Sequence, residues 1–164
     1  MSDNDIIGSA PTVPVERILV DHDATKRLGN WTSAGIFEIK ARAAQVVVDL
    51  RSPDIPDSVE VRLDMQRSMV KLLVPEDATI DQWGLDWEGR GKVKDSQAPT
   101  GPTSRVIRLV GASRNSEVRV RRGGLAIVAA MVSRDYIDDV RRAHKEGRLP
   151  TVDDPTRDPY GKVS

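Results

Sequence analysis

Apolar and polar residues alternate with a period of two through most of residues 31–122. Val59, Val61, Leu63 and Met65 are apolar, and Glu60, Arg62, Asp64 and Gln66 stand between them. That period sends one set to a core and the other to water, which is the signature of a half-buried strand. The pattern recurs over Phe37, Ile39 and Ala41, over Val46, Val48 and Leu50, and over Val70, Leu72 and Val74. It returns at Trp83, Leu85 and Trp87, then at Val106–Val110 and at Val118–Val120. Turn signals separate the segments. Ser52–Asp57 carries two prolines, Pro75-Glu76-Asp77 breaks the chain again, Glu88–Gly91 reads as a hairpin turn, and Asp95–Ser104 is the longest loop.

About eight short strands follow, with centres about every 10–14 residues, the spacing of an all-β sandwich, a barrel or a short solenoid. No helical period of adequate length interrupts them, so a doubly wound parallel sheet is not expected. The predicted fold is mainly β, a short-stranded β-solenoid-like or β-sandwich domain followed by one C-terminal α-helix.

The flanks read differently. Residues 1–14 are small, polar and proline-bearing, and predict a disordered arm. Val15, Ile18 and Leu19 fit half a helix or a short strand, and Gly29-Asn30 a turn. Residues 125–146 predict the helix, with Ile127, Met131, Ile137 and Val140 on one apolar face and Gly147 as its stop. Leu125–Val132 could equally be a ninth strand. Residues 151–164, polar with Pro155 and Pro159, predict a flexible tail. The domain proper is expected over residues 15–150.

Composition narrows the function classes. Lys plus Arg is 25 and Asp plus Glu is 25, a formal net charge of zero, which argues against a dedicated nucleic-acid or membrane-surface protein. There is no cysteine, so disulfides and zinc-thiolate sites are excluded. No apolar run approaches the roughly 20 residues of a membrane span. The N-terminus, acidic and without an apolar h-region, is not expected to act as a signal peptide. These features predict a cytoplasmic protein.

Candidate chemistry is sparse. Asp21-His22-Asp23 offers metal-ligand types, but adjacent residues seldom converge on one ion, and His144 is the only other histidine. Gly89–Lys92 (GRGK) resembles a phosphate-loop fragment without the helix such a loop opens. No serine has a plausible base. No catalytic residue, cofactor or metal is expected. From Arg105 to Arg122 there are six arginines and one acid, Glu117. Arg108, Arg119, Arg121 and Arg122 form a candidate surface for a protein partner or an anion, with room for peripheral membrane contact. The simpler reading pairs them with acids on neighbouring strands. Trp83 and Trp87 are a candidate ligand platform, or else core.

VKLLVPEDATI (Val70–Ile80), GRGKV (Gly89–Val93) and VIRLVGASRNSEVRVRR (Val106–Arg122) together resemble the C-terminal domain of LiaF-type cell-wall-active-antibiotic response proteins. The matching positions are Val74-Pro75, Gly89, Gly91, Gly111, Val118 and Val120, with VVVDL (Val46–Leu50) as the earlier aspartate-bearing strand. The resemblance covers roughly residues 35–122. It implies a compact β-solenoid-like or sandwich domain in envelope-stress sensing or restraint, with no catalytic residues. Ser116 departs from the pattern where a glycine is common, and the C-terminal helix lies outside it. Together these readings predict a non-enzymatic domain working through a protein partner or self-association, with no nucleic acid. The alternative is a small-ligand or anion-binding β domain.

Overall fold

The computed structural model describes residues 14–95 and 105–161. It contains β1 (Val15–Asp21), β2 (Ala24–Arg27), β3 (Ile36–Arg42), β4 (Gln45–Asp49), β5 (Ser58–Gln66), β6 (Met69–Val74), β7 (Thr79–Asp95) and β8 (Val106–Arg122). Two helices follow, α1 (Gly123–Met131) and α2 (Arg134–Glu146). The expected arm over residues 1–14 lies almost wholly outside the described residues, as does most of the Asp95–Ser104 loop.

Every pairing is parallel. The solenoid-like alternative is therefore the one the chain adopts. Each layer is a strand, a corner and a second strand, so the layers build two sheets that share one interior. The first sheet holds β1, β3, β5 and the front half of β8, and the second holds β2, β4, β6 and the back half of β8. The stacking order departs from chain order. β8 enters between the β5/β6 layer and β7, which leaves β7 on the edge. Glu88–Gly91 is accordingly a corner within a continuous parallel strand, with a register shift there, and not a hairpin turn. The front of the chain, ambiguous by pattern, forms the strands of the first layer.

The corners share one backbone device. His22, Ala43, Arg67 and Asn115 have φ of 54°, 47°, 47° and 48°, and Gly89 has 71°. The register aligns all five in one stack. Within it the N–H of His22 donates to the Arg42 carbonyl, that of Ala43 to Gln66, and that of Arg67 to Arg114. Left-handed backbone turns the chain sharply there while the ladder of hydrogen bonds stays intact.

The interior follows the period of two. Phe37, Val61 and Leu109 form one row across the first sheet, and Val48, Leu72 and Val120 one across the second, all buried. Gly111 falls in the row of Ile39, Leu63 and Leu85, where a Cβ would meet the Leu63 carbonyl oxygen at 2.0 Å.

The C-terminal region corrects two expectations. The single helix is two, because Ser133 breaks the run and caps α2, its side chain accepting from the Tyr136 N–H at 3.1 Å. α2 ends on Gly147 at φ 65°. Of the expected apolar face, Ile127 is half-buried and Met131, Ile137 and Val140 are exposed, while Ala126 and Ala130 are buried. The small alanines allow α1 close approach to Leu28 and Leu73 on the outer face of the second sheet. Residues 151–161 are likewise no loose tail. Val152 joins that apolar cluster, Asp153 is buried, and Arg157 grips Asp153 at 2.9 Å through both terminal nitrogens. Polarity here serves local pairing, which composition does not distinguish from solvation.

Candidate interaction face

Outward-pointing residues line up across the layers because the register is fixed. On the first sheet the result is a chain of compensated charges. Arg17 Nε reaches Glu38 at 2.8 Å, Arg62 holds Glu38 at 3.0 Å and Glu60 at 2.6 Å, and Arg108 lies 3.9 Å from Glu60. Lys40 and Asp64 add a pair at 4.0 Å. Hydrogen bonds from Arg62 and Arg17 hold the Glu38 carboxyl below the usual carboxylate range against some desolvation.

The second sheet is built the same way and charged differently. Lys26 pairs in register with Val47, Val47 with Lys71, Lys71 with Arg119, and Arg119 with Lys94. Adjacent strands are about 4.8 Å apart, so four cations and one valine form a continuous row. One acid, Glu117, serves it: Lys94 lies 2.8 Å from Glu117 and Arg119 3.2 Å. Hydrogen bonds from Lys94 and Arg119 hold Glu117 below the usual carboxylate range. Lys71 responds in the opposite sense. Burial is the main reason its ammonium sits below the usual lysine range, and the charges of Arg121, Arg119 and Lys26 push the same way. The row is thus a site of net positive potential in a chain of zero net charge.

Two open grooves extend it. One, of about 570 Å³, runs along the corners, and Arg67, Arg90, Lys92, Lys94 and Arg119 line it with Glu117 as the sole acid. The other, of about 660 Å³, is lined by Lys92, Lys94 and Arg121 with Asp95 as its acid, and reaches Leu125 at the start of α1.

α1 lies alongside the row. It leaves β8 at Gly123, packs on Leu73 of β6, and ends where Lys26 Nζ of β2 donates to the Val132 carbonyl at 2.9 Å. Nine helical residues span about 13 Å, and three strand spacings about 14 Å, so the helix crosses the sheet from β8 to β2. Its sequence, GGLAIVAAM, holds no charge. With the alanines turned inward, Leu125 is 45%, Val128 60% and Val132 71% exposed.

The expected site residues separate under this geometry. Arg119 and Arg121 do face outward on the second sheet. Arg108 lies on the first sheet, beside Glu60. Arg122 is 2% exposed and so is no part of an open surface. Its Nε and Nη2 pair with Asp95 at 2.9 and 2.7 Å, and its Nη1 donates to the Glu76 and Ala78 carbonyls. Arg105 is buried in the same manner, donating to the Leu50, Ser52 and Ile55 carbonyls. The sequence run of arginines therefore mixes internal braces with surface cations. Trp83 and Trp87 do not form a platform. Trp83 sits in a bulge between Asp81 and Gly84 and is 94% exposed, while Trp87 turns toward the interior and packs against the core. The bulge inserts residues and breaks the alternation that put both on one face.

Lys26, Lys71 and Lys94 were not singled out by the sequence reading. The signal that finds the first two is position relative to the corner. Lys26, Lys71 and Arg119 each stand four residues after a left-handed corner residue, His22, Arg67 or Asn115.

Asp21, His22 and Asp23 occupy an exposed corner where His22 Nδ1 contacts Asp21. Among the described residues no group of three or more His, Cys, Asp or Glu is arranged to hold a metal. No helix among them is long and apolar enough to cross a membrane. No family model, curated protein or solved structure matches the chain.

Proposed function

We propose that this is a non-enzymatic interaction domain that docks an anionic partner on the outer face of its second sheet. The observation that carries the reading is the contrast between the outward rows of the two sheets, which the same layer register aligns. One alternates Arg17, Glu38 and Arg62, and the other aligns Lys26, Lys71, Arg119 and Lys94 around a single Glu117. Like charges in adjacent cross-strand positions are destabilising, so a compensated row is the default for a face with no partner. An uncompensated row gains its use when an acidic surface covers it. The resemblance to the LiaF-type domain supplies the expected setting, envelope-stress regulation. A second reading, a small anion held in the corner groove, draws support from the cluster of Arg67, Arg90 and Lys92 around that groove.

The test is fluorescence anisotropy with a labelled poly-glutamate peptide at low salt. The wild type is expected to bind, the Lys92→Glu, Arg121→Glu variant to lose binding, and Lys40→Glu on the first sheet to retain it. Equal loss from both variants, or no binding by the wild type, overturns the reading.

A further inference from the structure

We propose that the partner of the second face is an anionic lipid surface, with α1 lying in the headgroup plane beside the cation row. The inference rests on the interaction-face reading above and names its partner class. Three features carry it. First, the cations and the exposed aliphatic residues run side by side along the stack, and the groove bounded by Lys94, Arg121 and Leu125 joins them. Second, α1 has no charged residue from Gly123 to Met131, and Leu125, Val128 and Met131 are exposed and Ile127 half-buried while Ala126 and Ala130 are buried. A helix chosen only to cover a sheet would place its larger side chains inward. Third, the cations lie on an open, extended surface, and the grooves between them are shallow troughs. An extended lysine-bearing surface beside exposed aliphatics meets headgroup charge and the acyl boundary together. An acidic protein partner would engage the cations but gives no use to the aliphatic rib. Zero net charge over the whole chain is compatible with this, since acids elsewhere, on the first sheet (Glu38, Glu60 and Asp64) and in the C-terminal region (Asp135, Asp138 and Asp139), balance the cations of the second face. Electrostatic attraction to a bilayer acts within about a Debye length and reads the near face, not the sum.

Co-sedimentation with vesicles of phosphatidylcholine containing about 30% phosphatidylserine tests the proposal, alongside pure phosphatidylcholine vesicles. The wild type is expected to sediment with the anionic vesicles only, and to be released at about 0.5 M salt. Lys92→Glu, Arg121→Glu is expected to weaken binding tenfold or more, at about fivefold per charge near the surface. Val128→Asp, at an exposed position, is expected to lose vesicle binding and keep poly-glutamate binding. Poly-glutamate bound with vesicles ignored overturns the lipid proposal and leaves the interaction-face reading standing. Binding of neither overturns both. Val128→Asp sedimenting like wild type also overturns it, because the helix would then not be seated in the lipid. The salt arm needs no variant, and unchanged thermal midpoints establish that the substituted chains are folded.

Discussion

Arg51 holds both carboxylate oxygens of Asp49, from Nε at 2.8 Å and from Nη2 at 2.8 Å, in a site where Asp49 is fully buried. The Gly29 N–H fills another lone pair of Asp49 at 2.9 Å, and Arg51 donates onward to the carbonyls of Val152 and Asp153. One pair thus ties the second layer, the first layer's loop and the C-terminal segment. Removing one partner leaves the other charged and dry, at a cost of about 3–5 kcal/mol. Asp49→Ala is expected to lose that much in urea unfolding. The double variant Asp49→Ala, Arg51→Ala should lose less than the sum of the two single variants.

Gly111 illustrates a constraint of a different kind. It sits mid-strand at φ +113°, with the Leu63 backbone where a side chain would start. The neighbour is main chain in a parallel ladder and cannot step aside without breaking hydrogen bonds. Gly111→Ala is expected to cost about 3 kcal/mol or more from backbone strain and steric overlap together. A thermal midpoint within a degree of wild type would disprove the account.

The corner residue Ala43 should respond in the reverse direction. It is exposed, its φ is +47°, and its side chain adds little there. Left-handed backbone costs a non-glycine residue about 1–2 kcal/mol, while glycine gives back part of that through unfolded-chain entropy. Ala43→Gly is expected to stabilise the domain by about 0.5 kcal/mol, read from the shift in denaturant midpoint at unchanged slope.

Much of this architecture is legible in the sequence. The period of two over Val59–Met65 and Val46–Leu50 identifies the strands, and the core they build is the observed one. What the sequence withholds is what stacks on what. Gly89-Arg90-Gly91 reads locally as a hairpin, and only its position in the corner stack shows a bend between two parallel strands. The same gap hides the cation row. Lys26, Lys71 and Lys94 are far apart in the chain and become neighbours only through register. It also misassigned Arg122, since an arginine that satisfies two carbonyls and a carboxylate looks, in a sequence, like any other at a polar-looking position.

Asp139 latches the C-terminal segment. It accepts from the backbone N–H groups of Thr151 at 2.8 Å and Val152 at 3.0 Å, and from Arg148 at 3.0 Å. Desolvation, the largest single effect, would raise its pKa, but those three donors together outweigh it and leave the carboxyl below its usual value. A carboxylate with a lowered folded pKa contributes stability that is present above the unfolded value of 3.8 and is lost as pH falls through the folded pKa. Asp139→Asn is expected to cost about 1–3 kcal/mol at neutral pH and to flatten that acid limb. Faster hydrogen exchange at the Thr151 and Val152 amides would place the loss in the latch.

Lys71 should show the opposite linkage, and it connects stability to the proposed function. Its folded pKa lies below the unfolded 10.5, first through burial and then through Arg121, Arg119 and Lys26. Between the two values the unfolded chain binds more protons, so stability rises as pH climbs through the folded pKa toward the unfolded one. At neutral pH the charged Lys71 therefore opposes folding. Lys71→Met keeps the stem's packing and removes the charge. It is expected to raise stability at pH 7 by about 0.5 kcal/mol, a modest gain because solvent screens the row. The gain over wild type should shrink as pH approaches 10.5. The same substitution should weaken poly-glutamate binding. A variant that is more stable yet binds less would show that the cation row is kept against the interest of folding. A variant neither more stable nor weaker in binding would mean that the row carries no strain and no partner.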